Sequence, residues 1–207
     1  MRRAVICDFG GVLTSPLIQG FLAYQEESGV GIEELGQAMA RAADEDGEHP
    51  LYQLEKGLIT EHEFGRRLGA QLNAGFDLVR LREVYFQHLQ PNRPMIDFMR
   101  DLRRRGLRMA LCTNNVREWE AQWRSKLPEI DEIFEVVVDS AFVGMRKPEP
   151  GIYRLTLERL GGGVRPEDCV FVDDLDVNCE SARILGMTAV RFENTAQTIA
   201  AVEAALG

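Results

Sequence analysis

Apolar residues follow two rhythms along the 207-residue chain. Five short runs are almost continuous: 4–7, 109–112, 136–138, 169–172 and 189–192. Unbroken hydrophobicity over so few residues predicts strands buried on both faces, as in a parallel sheet. Between and after these runs the apolar positions recur at helical spacing. Trp119 and Trp123 share one face, as do Tyr153, Leu157 and Leu160, closed by Gly161; Ile199, Val202 and Leu206 form the last stripe. Strand alternating with helix implies right-handed βαβ units and a doubly wound α/β sheet.

One interval breaks the alternation. Roughly a hundred residues separate the first run from the second, where about 30 would serve a βαβ unit. Residues 15–92 read as helices only. Thr60 and Glu63 have capping-box spacing, with Ile59 and Phe64 placed as a hydrophobic staple, and Phe64, Leu68 and Leu72 then give a buried face. A second helix is expected over 78–89. Pro91 and Pro94 close the interval and open a helix whose apolar face is Met95, Met99 and Leu102. The expected organisation is therefore an α/β core of residues 1–14 and 93–207 with a helical cap of residues 15–92. Inserted helical modules often act as lids.

Composition narrows the class. Asp plus Glu outnumber Lys plus Arg by 33 to 24, a net charge of −9, which argues against nucleic acid or an anionic membrane as partner. The one dense basic run, Arg103-Arg104-Arg105 before Gly106, fits a helix C-terminus. No apolar run is long enough to span a bilayer, and 4–7 is too short for a signal-peptide core despite the basic Met1-Arg2-Arg3. Cys7, Cys112, Cys169 and Cys179 lack paired metal spacing and read as reduced core thiols of a cytoplasmic protein.

Ligands of open α/β sheets bind beyond the strand C-termini. The residues leaving each predicted strand are Asp8-Phe9-Gly10-Gly11, then Thr113-Asn114-Asn115, then Arg146-Lys147-Pro148, then Asp173-Asp174 with Asn178 in the next turn. Each alone has an ordinary structural role: a strand end, a helix cap, a solvated lysine, a polar loop. Together they bring three carboxylates, an ammonium and a hydroxyl to one sheet edge. Clustered carboxylates repel unless a hard cation joins them, and an all-oxygen set selects Mg²⁺. Mg²⁺ retains sites for a substrate phosphate, whose other oxygens suit a Lys and a Thr hydroxyl. A carboxylate beside the phosphorus can attack it and form an aspartyl-phosphate.

These four segments, in this order, resemble the motifs of the haloacid dehalogenase superfamily, and the resemblance runs from residue 3 to about 192. The stretch Leu54-Glu55-Lys56-Gly57-Leu58-Ile59-Thr60-Glu61-His62-Glu63-Phe64 resembles the cap helices of the subfamily with a small helical cap. Within it the chain looks like the phosphatase domain at the N-terminus of soluble epoxide hydrolases and like sugar-1-phosphate phosphatases with a glycine in the first motif. The resemblance implies a Rossmann-like core and a Mg²⁺-dependent phosphatase of small phosphorylated metabolites. Asp8 would be nucleophile and Mg²⁺ ligand, Gly10 a ligand through its carbonyl, and Asp174 the further ligand. Thr113 and the amide of Asn114 would hold the phosphoryl group, Lys147 would balance charge, and Asp173 and Asn178 would support the ligands.

Gly10 departs from the pattern. Phosphatases of the superfamily usually carry a second Asp there, as general acid and base, a function worth about 10²–10⁴-fold. His49, Glu48 and Tyr52 are the cap residues offered as substitutes. Two other readings use the same residues: a weakly active relative that works by binding, which Gly10 favours, and a metal-free 2-haloacid dehalogenase, which the Asp173-Asp174 pair does not resemble.

Overall fold

A computed structural model describes residues 3–72 and 76–207; residues 1 and 2 of the basic N-terminus and 73–75 within the helical interval lie outside the described residues. The five apolar runs form one parallel sheet: β1 (Ala4–Cys7), β2 (Arg108–Thr113), β3 (Val136–Asp139), β4 (Cys169–Asp173) and β5 (Thr188–Arg191), in the order β3-β2-β1-β4-β5. The registers are direct, with Ile6 opposite Ala110 on one side and Phe171 on the other.

Burial of both faces explains the unbroken hydrophobicity. Val5, Cys7, Met109, Leu111, Val170 and Val172 enter one core, while Ala4, Ile6, Ala110, Cys112, Cys169 and Phe171 enter the opposite one. The first core is closed by α6 (Arg93–Arg104), α7 (Glu120–Ser125), α8 (Ile130–Ile133) and α12 (Thr195–Leu206). The second is closed by α10 (Pro150–Leu160) and α11 (Asp176–Ile184), with the short α9 (Ser140–Val143) following β3. All four cysteines are free and buried. Arg103 and Arg104 occupy the last turn of α6, and Gly106 follows in the left-handed region at φ +88°. Among the described residues no helix is long and apolar enough to cross a membrane.

The helical interval forms α1 (Ile18–Ser28), α2 (Ile32–Asp46), α3 (Pro50–Glu55), α4 (Glu61–Gln71) and α5 (Leu78–His88), around a third core that includes Tyr24, Leu54, Phe64, Leu68, Leu81 and Val84. Two adjacent chain segments join it to the sheet. Ser15 N–H donates to the Gln90 carbonyl (2.7 Å), Asn92 N–H to the Leu13 carbonyl (2.9 Å), and Thr14 pairs with Pro91. At the start of α4 only half of the capping box forms. Thr60 Oγ1 accepts from Glu63 N–H (3.1 Å), but the Glu63 carboxylate turns to Arg66 and Arg67, charged partners that outcompete a backbone amide. Trp119 and Trp123 also fall on different elements. Trp119 ends a 3₁₀ turn (Arg117–Trp119) and donates from Nε1 to Glu61 of α4, while Trp123 on α7 packs under the sheet edge.

Candidate active site

Parallel strands deliver their C-terminal residues to one edge. Asp8 leaves β1, Thr113 ends β2, and Asp173 and Asp174 leave β4, while Lys147 enters from the loop ahead of α10. The Lys147 ammonium lies 2.8 Å from Asp8 Oδ1 and 2.6 Å from Asp173 Oδ2, and is 1% exposed. Asp173 is fully committed: its Oδ1 accepts from Leu175 N–H and from Asn178 Nδ2, both at 2.9 Å. Asp8 Oδ1 also accepts from Phe9 N–H at 2.7 Å. Oxygens of Asp8, Asp173 and Asp174 lie within 4.8 Å of one another.

Burial pushes the Asp8 carboxyl well above the usual carboxylate range; Lys147 pulls it back and Asp173 opposes that pull. Burial, then Asp173, raises Asp174 in the same direction. Burial works against the charge of Lys147 too, but the carboxylates of Asp173 and Asp8 outweigh it and hold the ammonium protonated. Three carboxylates against one ammonium leave an excess of negative charge, which a divalent cation would balance. The donor set fits Mg²⁺, being all oxygen. The bare backbone makes way for one of these ligands: Gly11, at φ +73°, lies so close under Asp174 that a Cβ would sit 2.3 Å from Oδ2.

The phosphate-side residues are placed around the same point. Thr113 Oγ1 accepts from Asn115 Nδ2 at 3.1 Å, which leaves its own proton for another acceptor. The Asn114 side chain has a different task from the one expected of its amide. It brackets Lys147, accepting from the Lys147 N–H at 2.8 Å and donating to the Lys147 carbonyl at 3.0 Å. Asp8, Gly10, Thr113, Asn114, Lys147 and Asp174 all line one cavity of about 360 Å³, and Asn178 borders it. Asp173 stands behind Lys147.

The helical layer roofs this cavity with residues that motif spacing did not single out. Glu55, at the end of α3, accepts from Arg146 Nε at 2.6 Å, and Tyr85 of α5 lines the same cleft. The Arg146 guanidinium lies 4.0 Å from the Tyr52 ring centroid, and Tyr52 stacks on His49 at 4.4 Å. His49, Glu48 and Tyr52 themselves do not line the cleft; Glu48 pairs with Lys56 at 2.7 Å. A second cavity of about 410 Å³ opens inside the helical layer, walled by side chains such as Leu35, Leu54, Phe64, Leu68 and Leu81. Leu17, Ile18, Glu55, Tyr85, Asn114 and Asn115 border both cavities.

Known proteins resemble this chain in sequence and fold. Residues 2–186 match the family model of the haloacid dehalogenase-like hydrolases. The rat protein bifunctional epoxide hydrolase 2 is 28% identical over 99% of this chain, which spans only 39% of the rat protein's length. A phosphatase of Mycobacterium tuberculosis is 31% identical over 72% of this chain and 64% of its own. A HAD family enzyme of Bacteroides thetaiotaomicron, solved with magnesium and inorganic phosphate, superposes with a TM-score of 0.67 at 25% identity, covering 92% of this chain and 94% of that one. The L-2-haloacid dehalogenase of Xanthobacter autotrophicus shares the fold, with a TM-score of 0.64 at 18% identity over 92% of this chain and 77% of that one. With its parallel α/β sheet and a family match across most of its length, the chain belongs to the haloacid dehalogenase-like hydrolases.

Proposed function

We propose that the chain is a Mg²⁺-dependent phosphatase of a small phosphorylated metabolite, with residues 15–92 as the cap over its site. The contact that carries this reading is Lys147 Nζ against Asp8 Oδ1 at 2.8 Å, beside the carboxylate of Asp174. A Mg²⁺-dependent reaction would use Asp174 at this point as a metal ligand. Similarity to named phosphatases agrees with it.

Asp8 would attack the phosphorus, forming the acyl-phosphate bond as the ester P–O bond breaks and the alkoxide takes up a proton. Water would then attack the same phosphorus, releasing inorganic phosphate and regenerating Asp8. Mg²⁺ held by Asp8, the Gly10 carbonyl and Asp174 would supply charge neutralisation at the phosphoryl oxygens. Lys147 fixes Asp8 and draws the anionic group into a chain whose net charge of −9 otherwise repels it. Thr113 Oγ1 and the Asn114 N–H would donate to phosphoryl oxygens, and Asn178 with Leu175 N–H keeps Asp173 aimed at Lys147.

The test is phosphate release from a panel of phosphorylated metabolites with Mg²⁺ and with EDTA, using the native chain and Asp8→Asn. Mg²⁺-dependent release lost in Asp8→Asn is expected. Mg²⁺ and phosphate binding without release from any ester would favour the weakly active, binding-only relative that Gly10 suggests. Chloride release from a 2-haloacid without metal would establish the dehalogenase instead.

A further inference from the structure

We infer that Glu55, a cap residue, is the acid that protonates the leaving group, in place of the carboxylate missing at Gly10; this rests on the phosphatase reading. The position of Glu55 carries the inference. It borders both the cavity around Asp8 and the apolar chamber inside the helical layer, so it stands where one opens into the other. A phosphoryl group at Asp8 with an apolar organic portion in the chamber would place the bridging oxygen at that junction.

The carboxyl is held for such a task. Arg146 Nε takes Oε2 at 2.6 Å, Asn114 Nδ2 approaches the same oxygen at 3.5 Å, and Oε1 makes no hydrogen bond among the described residues. One oxygen is therefore fixed and the other is free to carry the proton. Burial raises the Glu55 carboxyl from its ordinary value, against the pull of Arg146 and Lys147, the two cations that face it. Neighbouring charges are engaged elsewhere: Lys56 by Glu48 and Glu149, Arg67 by Glu63 and Asp46. The only other titratable side chain bordering both cavities among the described residues is Tyr85, whose hydroxyl burial and the Asp8 carboxylate hold protonated far above neutrality.

As the ester P–O bond breaks, the Glu55 acid gives its proton to the departing oxygen, and the alcohol leaves. The resulting carboxylate is paired with Arg146. In the second step it takes a proton from the water that attacks the phosphorus, which restores the acid. His49 and Tyr52 act at one remove: their stack supports Arg146, which holds Glu55, whereas Glu48 is taken by Lys56.

The experiment compares kcat/KM for octyl phosphate and 4-nitrophenyl phosphate in the native chain, Glu55→Gln and Tyr85→Phe. Gln keeps an oxygen for Arg146 but has no acidic proton. Glu55→Gln is expected to lower octyl phosphate turnover at least about 100-fold and to leave 4-nitrophenyl phosphate, whose leaving group needs no proton, within about threefold. The alkaline limb of the native octyl phosphate profile should also disappear in Glu55→Gln. Equal losses on both esters would mean that Glu55 only holds Arg146 and the cap, and would overturn the role. A selective loss in Tyr85→Phe rather than Glu55→Gln would overturn it in favour of the phenol. No Mg²⁺-dependent turnover of either ester by the native chain would overturn the phosphatase reading and this role with it, an outcome distinct from the others.

Discussion

A Cβ on Gly11 would lie 2.3 Å from Asp174 Oδ2, closer than any tolerated contact. The glycine therefore does two things at once. It takes φ +73°, which costs another residue about 1–2 kcal/mol, and it lets the backbone pass directly beneath a carboxylate on the opposite side of the site. Gly11→Ala should lower the thermal midpoint by roughly 2–8 °C, given about 2–4 °C per kcal/mol for a chain of this size. It should also weaken Mg²⁺ at least about tenfold by displacing Asp174. Differential scanning fluorimetry with calorimetric Mg²⁺ titration checks both; an unchanged Mg²⁺ affinity would detach Asp174 from the metal.

Lys147 is the counter-charge for three carboxylates, and 1% exposure gives it no help from water. Lys147→Met keeps the apolar stem but leaves the carboxylates uncompensated, a change that costs about 3–5 kcal/mol when one partner of a buried pair is removed. Protonating Asp8 or Asp174, both raised by burial, relieves the repulsion. The variant's loss of stability should therefore be larger at pH 8 than at pH 5, and added Mg²⁺ should recover part of it. Urea denaturation at the two pH values decides; equal losses would mean that the cluster carries less charge than its composition suggests.

Asp139, at the end of β3, gives a pH dependence away from this cluster. Burial lifts its carboxyl from 3.8 to about 6, against the Ala141 N–H that donates to Oδ1 at 3.0 Å. The folded chain then binds this proton more tightly than the unfolded chain. Its contribution to stability is full below about pH 4, falls as pH rises towards 6 and is flat above, a swing of about 3 kcal/mol at most. Asp139→Asn keeps the acceptor for Ala141 and removes the titration. Stability of native minus variant, measured between pH 4 and 7, should decline through that window; a level difference would place the carboxyl at its ordinary value.

The strands and the motif residues were legible for one physical reason. A sheet covered on both faces demands uninterrupted apolar runs, and parallel strands send their polar successors to the same edge, so Asp8, Thr113 and Asp173 could be grouped from the sequence. Boundaries were less secure: β5 begins at Thr188, one residue before its apolar run. Trp119 and Trp123 have helical spacing, but Trp119 is taken by Glu61 from the helical layer. Glu55 was hidden for the same reason. Its partner Arg146 is 91 positions away, and their pairing depends on how the layer lies over the sheet, which no local periodicity encodes.

Gly10 offers a rescue experiment that separates a missing acid from a damaged cap. Unlike Gly11, it does not occupy the positive-φ region. A Cβ there would meet Leu17 Cδ1 at 3.0 Å and Cδ2 at 3.2 Å, the far end of a flexible side chain that can swing aside at small cost. Gly10→Asp should therefore fold with a thermal midpoint close to native. In the native background the new acid is redundant, and octyl phosphate turnover should change little. In the Glu55→Gln background it should recover at least about tenfold of the lost octyl phosphate turnover, because a carboxyl two residues from the nucleophile can supply the same proton. Hydrolysis of 4-nitrophenyl phosphate should stay level in all four proteins. If Gly10→Asp restores nothing while the double variant folds and binds Mg²⁺, the loss in Glu55→Gln came from a displaced cap. If Gly10→Asp accelerates octyl phosphate strongly even with Glu55 intact, the native site had no effective acid, and steep dependence on leaving-group acidity should be found in the native chain itself.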